Sequence, residues 1–334
     1  MGGGDNVLEI APGLARVTLP VPFELGGVHA YVLEGKDGMV LVDCGPRMPG
    51  VIEALEAALR DLGVSWDRVA GLVLTHWHMD HAGNAAEVRR RSGCWVAIHE
   101  DDATEAARYH WDPDRMLGDA PFFLSLGVPE REAREMVEAP RAFAAMTEAF
   151  RVDRPLRDSE YLMLGHRSFR VVWTPGHTPG HLCLQEEGTG LMLVGDHVLD
   201  PITPNISFLP GAENPLADYR VSLQRVARLA PKRLLPGHGE PIETPLERLQ
   251  VIEEHHRRRE RATYETVVAG AETPAEVARV LFGDHHPPLS WRLALLEALA
   301  HIEGLVAAGE VDRVGYAPVR RYQPSEGKLR GAAP

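Results

Sequence analysis

Gly71-Leu-Val-Leu-Thr-His-Trp-His-Met-Asp-His81 decides how this chain is read. Leu72, Val73 and Leu74 form a short aliphatic run that reads as a buried strand. His76, His78, Asp80 and His81 follow where that strand ends. Residues two apart in extended backbone project to the same side, so His76 and His78 can share one cation. Asp80 and His81 fall where the chain curls and can face a second cation beside the first. Imidazole nitrogen and carboxylate oxygen together suit zinc or a neighbouring first-row metal.

The same arrangement returns three times downstream. Ser168-Phe-Arg-Val-Val-Trp runs into Thr174-Pro-Gly-His-Thr-Pro-Gly-His181. Leu191-Met-Leu-Val ends in Gly195-Asp196-His197, and Arg233-Leu-Leu ends in Pro236-Gly-His238-Gly239. His177, Asp196 and His238 therefore each lie just past a short apolar strand, in a turn containing glycine. Loops at strand ends gather on one rim of a layered sheet, which is where site residues belong.

Around these motifs, residues 7–43 predict a β-meander with glycine-containing turns, one of them Lys36-Asp-Gly. Aliphatic spacing predicts a helix over 51–62. Another helix follows Gly83, and then a strand at Trp95-Val-Ala-Ile; this alternation indicates α/β layering. Residues 100–155 turn helical and polar, and read as an insertion that is a surface element, a dimer contact or a lid. Asn205 to Pro210 is a candidate substrate loop. Beyond Gly239 a long polar helix starts near Leu246, and its Arg257–Arg261 cluster reads as a solvated face. Thr273 caps a short helix from Pro274 to Leu281. A longer helix covers Trp291 to Ala308, and residues 311–322 form a candidate hairpin. Helix, helix, helix and hairpin suggest a winged helix. The expected organisation is a catalytic domain over 1–243, a winged-helix-like domain over 244–323 and a frayed tail over 324–334.

The 334 residues allow one or two domains. A net charge of −13 argues against a protein that coats nucleic acid. The cysteines are Cys44, Cys94 and Cys183, too few and too scattered for a disulfide framework or a zinc ribbon. Residues 1–5 open no secretory signal, and no apolar run approaches the ~20 residues of a membrane span. A soluble cytoplasmic protein is the expectation.

Taken together, Thr75-His76-x-His78-x-Asp80-His81, Gly176-His177-Thr, Gly195-Asp196 and Pro236-Gly-His238-Gly resemble the metallo-β-lactamase superfamily over roughly residues 7–240. His-Thr-Pro-Gly-His and Pro-Gly-His-Gly resemble its glyoxalase II-like hydrolases. The tail resembles that of the lactamase-β-like 2 branch, which includes an endoribonuclease. The resemblance implies an α/β fold, a four-layer αβ/βα sandwich with metals at one rim and a C-terminal helical domain. It implies one divalent ion on His76, His78 and His177, a second on Asp80, His81 and His238, and Asp196 bridging both. The expected ion is zinc, with manganese or iron also compatible with the donor set. A metal-bridging hydroxide would attack the substrate, with Asp80 orienting the water.

Asp43 matches the superfamily's early Asp-x-Gly and is expected to hold a ligand from behind. His181 is expected either there or facing substrate. His29, His99 and His110 are weaker candidates for the pocket wall. His197, His255, His256, His285, His286 and His301 read as solvated or structural. The expected substrate is a small ester, thioester or lactone. The alternative is RNA or another phosphodiester, and a third option is a mononuclear iron persulfide dioxygenase. A homodimer is compatible with the sequence.

Overall fold

The first seven strands of the computed structural model build one sheet in chain order. β1 (Val7–Ala11), β2 (Leu14–Leu19), β3 (Val28–Gly35) and β4 (Gly38–Val42) pair antiparallel as the expected meander. β5 (Val69–Val73), β6 (Trp95–His99) and β7 (Arg154–Leu156) extend the sheet in parallel. Parallel neighbours need a crossover. α1 (Val51–Asp61) supplies it between β4 and β5; α2 (Met79–Ala82) and α3 (Ala85–Ser92) supply it between β5 and β6. α4 (Glu100–Trp111), α5 (Ala120–Ser125) and α6 (Glu130–Arg141) come before β7. The structure describes residues 6–21, 26–35, 38–111, 118–141, 143–164, 166–284, 286–315 and 318–326. Part of the Lys36-Asp-Gly turn, residues 1–5, His285 and the tail beyond 326 lie outside them.

A second sheet holds β8 (Tyr161–Leu164), β9 (Arg167–Trp173), β10 (Leu182–Glu186), β11 (Leu191–Gly195) and β12 (Arg233–Pro236), in the order β12-β11-β10-β9-β8. α7 (Pro215–Arg228) joins β11 to its parallel neighbour β12. The core lies between the sheets. Val40, Val42, Val73 and Ala97 from the first meet Leu162, Phe169, Val171, Leu184, Leu193 and Leu235 from the second. The alternate residues Leu41, Leu72 and Val96 are buried too, so the outer face of the first sheet is also covered. α1 packs there on β2, and α3 packs on β5 and β6, burying Leu55, Leu59 and Val88. The result is the expected sandwich of two inner sheets with helices outside.

The chain divides into two compact units. Residues 1–110, 144–204 and 222–249 form the first, which carries both sheets. Residues 111–143, 205–221 and 250–334 form the second. The expected insertion, 100–155, is thus shared: residues 100–110 and 144–155 belong to the unit with the sheets, and 111–143 to the unit with the C-terminal helices. Those helices are α8 (Pro245–Val268), α9 (Pro274–Phe282) and α10 (Pro288–Ala307), followed by the hairpin β13 (Val311–Val314) and β14 (Arg321–Pro324). Thr273 and Glu276 form a reciprocal capping box on α9. Trp291, Leu295, Leu296, Leu299, Ile302 and Leu305 are all buried along α10, which makes it the central helix of its unit. The arginine cluster is neutralised locally: Arg257, Arg258 and Arg261 each pair with a glutamate one turn away. Among the described residues, no helix is long and apolar enough to cross a membrane.

Candidate metal centre

The ends of four strands supply the centre. The chain leaving β5 reaches His76 and His78 and then turns into α2, which carries Asp80 and His81. His177 follows β9, Asp196 follows β11 and His238 follows β12. The structure brings these seven residues together. They form three overlapping groups: His76, His78 and His177; His76, His81 and Asp196; and Asp80, His81 and His238. Within each group, the potential ligand atoms lie within 4.8 Å of one another.

The atoms converge, and only one pair among them, His78 with His177, makes a hydrogen bond. His78 Nδ1 and His177 Nε2 stand 3.0 Å apart. His238 Nε2 is 3.3 Å from Asp80 Oδ2, and His81 Nε2 is 3.8 Å from the same oxygen. Asp196 faces every group, with Oδ1 3.3 Å from His81 Nε2 and Oδ2 3.7 Å from both His177 Nε2 and His238 Nε2. His76 Nε2, His81 Nε2, His238 Nε2 and Asp196 Oδ1 are buried with no hydrogen bond among the described residues. Buried polar atoms left unpaired are costly, and four of them aimed at one space are what a cation site requires. Gly237 leaves that space open: a Cβ there would stand 2.6 Å from both Asp196 Oδ1 and His81 Cε1.

Hydrogen bonds behind the imidazoles set their direction. His81 donates from Nδ1 to Asp43 Oδ2 at 2.8 Å, and His238 donates from Nδ1 to the Gly27 carbonyl at 2.6 Å. The Thr75 hydroxyl donates to Asp43 Oδ2 at 2.7 Å, so it accepts from His76 Nδ1 at 3.0 Å. Each ring therefore spends Nδ1 on an outer partner and turns Nε2 inward, the nitrogen a metal would take. Asp43 also accepts from the Thr75 backbone N–H at 2.8 Å. It sits at φ +61°, a left-handed conformation that non-glycine residues keep only when their surroundings hold them there.

Charge follows the same design. Burial pushes His76 well below the usual histidine value and takes His78 down to about 3, with His177 adding to the shift on His78. Burial also opposes charge on His81 and His238, but Asp196 and Asp80 outweigh it and raise both. Asp80 stays ionised to about 2, and Asp196 to well below the usual carboxylate range. Both do so against burial, chiefly through His81. The pocket thus keeps two carboxylates ionised and draws protons onto two imidazoles. A divalent cation would displace those protons.

Other predicted residues sit outside this convergence. His181 is fully buried: Nδ1 donates to Thr174 Oγ1 at 2.8 Å, and Nε2 accepts the Asp196 backbone N–H at 3.1 Å. It holds the backbone of Asp196 from behind. His29 holds the Gly239 carbonyl at 2.7 Å and so steadies the turn carrying His238. His99 lies flat on Trp173, ring centroids 5.4 Å apart, and Nδ1 accepts the Asp101 backbone N–H at 3.3 Å. His110 packs edge-on against Tyr109. Thr75 and Gly237 carry no assignment from sequence, although both flank residues that do.

Comparison with known proteins agrees with this geometry. The model of the metallo-beta-lactamase superfamily matches residues 24–238. The probable metallo-hydrolase YqjP of Bacillus subtilis (strain 168) is 30% identical, over 68% of this chain and 71% of its own. The acyl-coenzyme A thioesterase MBLAC2 of Bos taurus is 27% identical, over 63% of this chain and 72% of its own. The crystal structure of a metallo-beta-lactamase family protein from Thermus thermophilus superposes with a TM-score of 0.82 at 32% identity, covering 95% of this chain and 100% of that one. A sandwich of this topology, carrying a rim of histidines and carboxylates that could hold metal, places the chain in the metallo-beta-lactamase superfamily as a metal-dependent hydrolase.

Proposed function

We propose that the chain is a dinuclear thioesterase acting on a small acyl thioester. Asp196 carries this reading: its two oxygens face both sets of inward-turned nitrogens, as a bridge between two ions must. His76, His78 and His177 would hold one ion, Asp80, His81 and His238 the other, and zinc suits this nitrogen and carboxylate set. Bound there, the two cations would acidify a water and polarise the substrate carbonyl.

The chain's own residues do the rest. Asp43, Thr75 and the Gly27 carbonyl hold His81, His76 and His238 in the required tautomers. Asp80, ionised to about 2, can accept a hydrogen bond from the attacking water and orient it. A thiol of ordinary acidity departs as thiolate with little help, since its pKa is about 8.5. A thioester therefore needs no proton donor beyond these residues. The thioesterase name of the bovine relative points the same way. The C-terminal helices and hairpin follow the order of a winged helix, and we read that unit as winged-helix-like.

The test is a substrate panel run on zinc-loaded protein. It comprises an acyl-coenzyme A, a simple ester, a lactone, a phosphodiester, single-stranded RNA and a persulfide. Hydrolysis of the thioester above the rest supports the reading. Preference for the phosphodiester or RNA, or persulfide oxidation by a parallel iron-loaded preparation holding a single ion, contradicts it.

A further inference from the structure

Besides Asp43, another buried carboxylate near the centre lies outside the seven residues. Asp102, in the first turn of α4, is fully buried, and its two oxygens accept three hydrogen bonds. Oδ2 accepts the Trp77 backbone N–H at 3.0 Å and the Thr178 hydroxyl at 2.8 Å. Oδ1 accepts the Gly180 backbone N–H at 2.6 Å. Trp77 stands between His76 and His78. Thr178 directly follows His177, and Gly180 directly precedes His181. A single side chain thus staples the loop after β5 to the loop after β9. Those two loops supply all three imidazoles of one candidate group.

The seating is close and specific. A Cβ on Gly180 would stand 2.3 Å from the Asp102 backbone nitrogen and 2.7 Å from its Oδ1. All three partners of Asp102 are donors, so only a side chain with two acceptor oxygens satisfies them. An asparagine keeps one acceptor oxygen and must turn its amide NH2 against the backbone N–H of either Trp77 or Gly180. Two ring nitrogens held at 3.0 Å from one another, His78 Nδ1 and His177 Nε2, depend on these two loops keeping their spacing.

We propose that Asp102 is a positioning residue for the metal centre: by clamping Trp77, Thr178 and Gly180, it sets the spacing of His78 and His177. It thereby sets the affinity of the ion held by His76, His78 and His177. This rests on the two-ion reading above, and the test separates the two. Full-length Asp102→Asn and Thr178→Val are titrated with zinc against a competing chelator. Cadmium NMR follows each ion by its own resonance, assigned with His177→Ala.

Asp102→Asn should bind one ion about 10–100-fold more weakly, the usual cost of losing a group that orients ligands from behind. The resonance lost or broadened should be the one that His177→Ala removes, and the other should keep its shift. Thr178→Val breaks one of the three bonds without adding a mismatched donor. It should give a smaller loss at the same ion, and it decides the matter if circular dichroism shows Asp102→Asn to be unfolded. Wild-type affinity for both ions in a folded variant, or weakening confined to the other ion, overturns the clamp. A wild-type chain that takes up no zinc overturns the metal reading itself, and the clamp with it.

Discussion

Each unit of this protein buries a cluster of histidines, and the two clusters are built on opposite principles. In the first unit, His76, His81 and His238 each have one ring nitrogen tied from behind, by a hydroxyl, a carboxylate and a carbonyl, and the other nitrogen turned inward. In the second, His256 and His301 stack with centroids 5.6 Å apart, and His256 lies edge-on to Tyr219. Both are buried, and none of their four ring nitrogens finds a hydrogen bond among the described residues. No carboxylate gathers with them into a potential metal group among those residues. Burial lowers the pKa of both, His256 to about 4 with His255 adding to the effect. Burial alone therefore does not mark a functional histidine. What marks it is an outer partner that fixes the tautomer and an anion that gives a cation a reason to enter.

The largest expected effects probe the first cluster. His78→Ala or Asp196→Ala should drop turnover to background while circular dichroism shows the fold retained. Full activity in either variant would remove the basis for the assignment. Asp43→Asn should leave the inward nitrogens in place but loosen the tautomer of His81. Zinc affinity should then fall about 10–100-fold in chelator competition; an unchanged affinity would show that the outer partner is incidental.

Smaller effects probe the second cluster. The unfolded chain protonates His256 near its ordinary value of 6.5, whereas the folded chain resists until about 4. Between those values the unfolded state binds the extra proton. Stability should therefore rise with pH through this window, and be lost as pH falls from 6.5 to about 4. Urea unfolding over a pH series measures the slope, and His256→Phe should reduce it by one histidine's share, since His76, His78 and His301 are shifted in the same direction. A slope unchanged by the substitution assigns the acid sensitivity elsewhere. His301→Leu removes two unpaired buried nitrogens at similar volume and should raise stability at neutral pH by about 1 kcal/mol. A loss of that size in denaturant unfolding would reveal a partner for His301.

Much of this is legible in the sequence, for local reasons. Strands of alternating or continuous apolar residues, ended by glycine turns, announce both the sandwich and its rim. The seven residues that meet there stand in four such turns. Legibility fails where a role depends on backbone donors distant in the chain. Asp102 sits in Glu100-Asp-Asp, which reads as an ordinary acidic first turn of a helix. Its partners lie 25 and 76–78 residues away. The one local hint is a glycine at 180, beside His181. The second unit is hidden for the same reason. Asn205 reads as the start of a substrate loop, yet it donates to Glu297 at 2.9 Å, and the Phe208 N–H reaches the Leu296 carbonyl at 3.1 Å. Those contacts fasten residues 205–208 to α10 within one unit, and no periodicity predicts them. His29 draws notice for its imidazole, but its observed place is behind the turn of His238.

The metal content of the purified chain bears most directly on the centre. Elemental analysis after zinc loading and removal of loosely bound ions should find two equivalents per chain, falling to one in His177→Ala. A wild-type chain that retains none, or that holds a single ion unaffected by that substitution, would contradict the account.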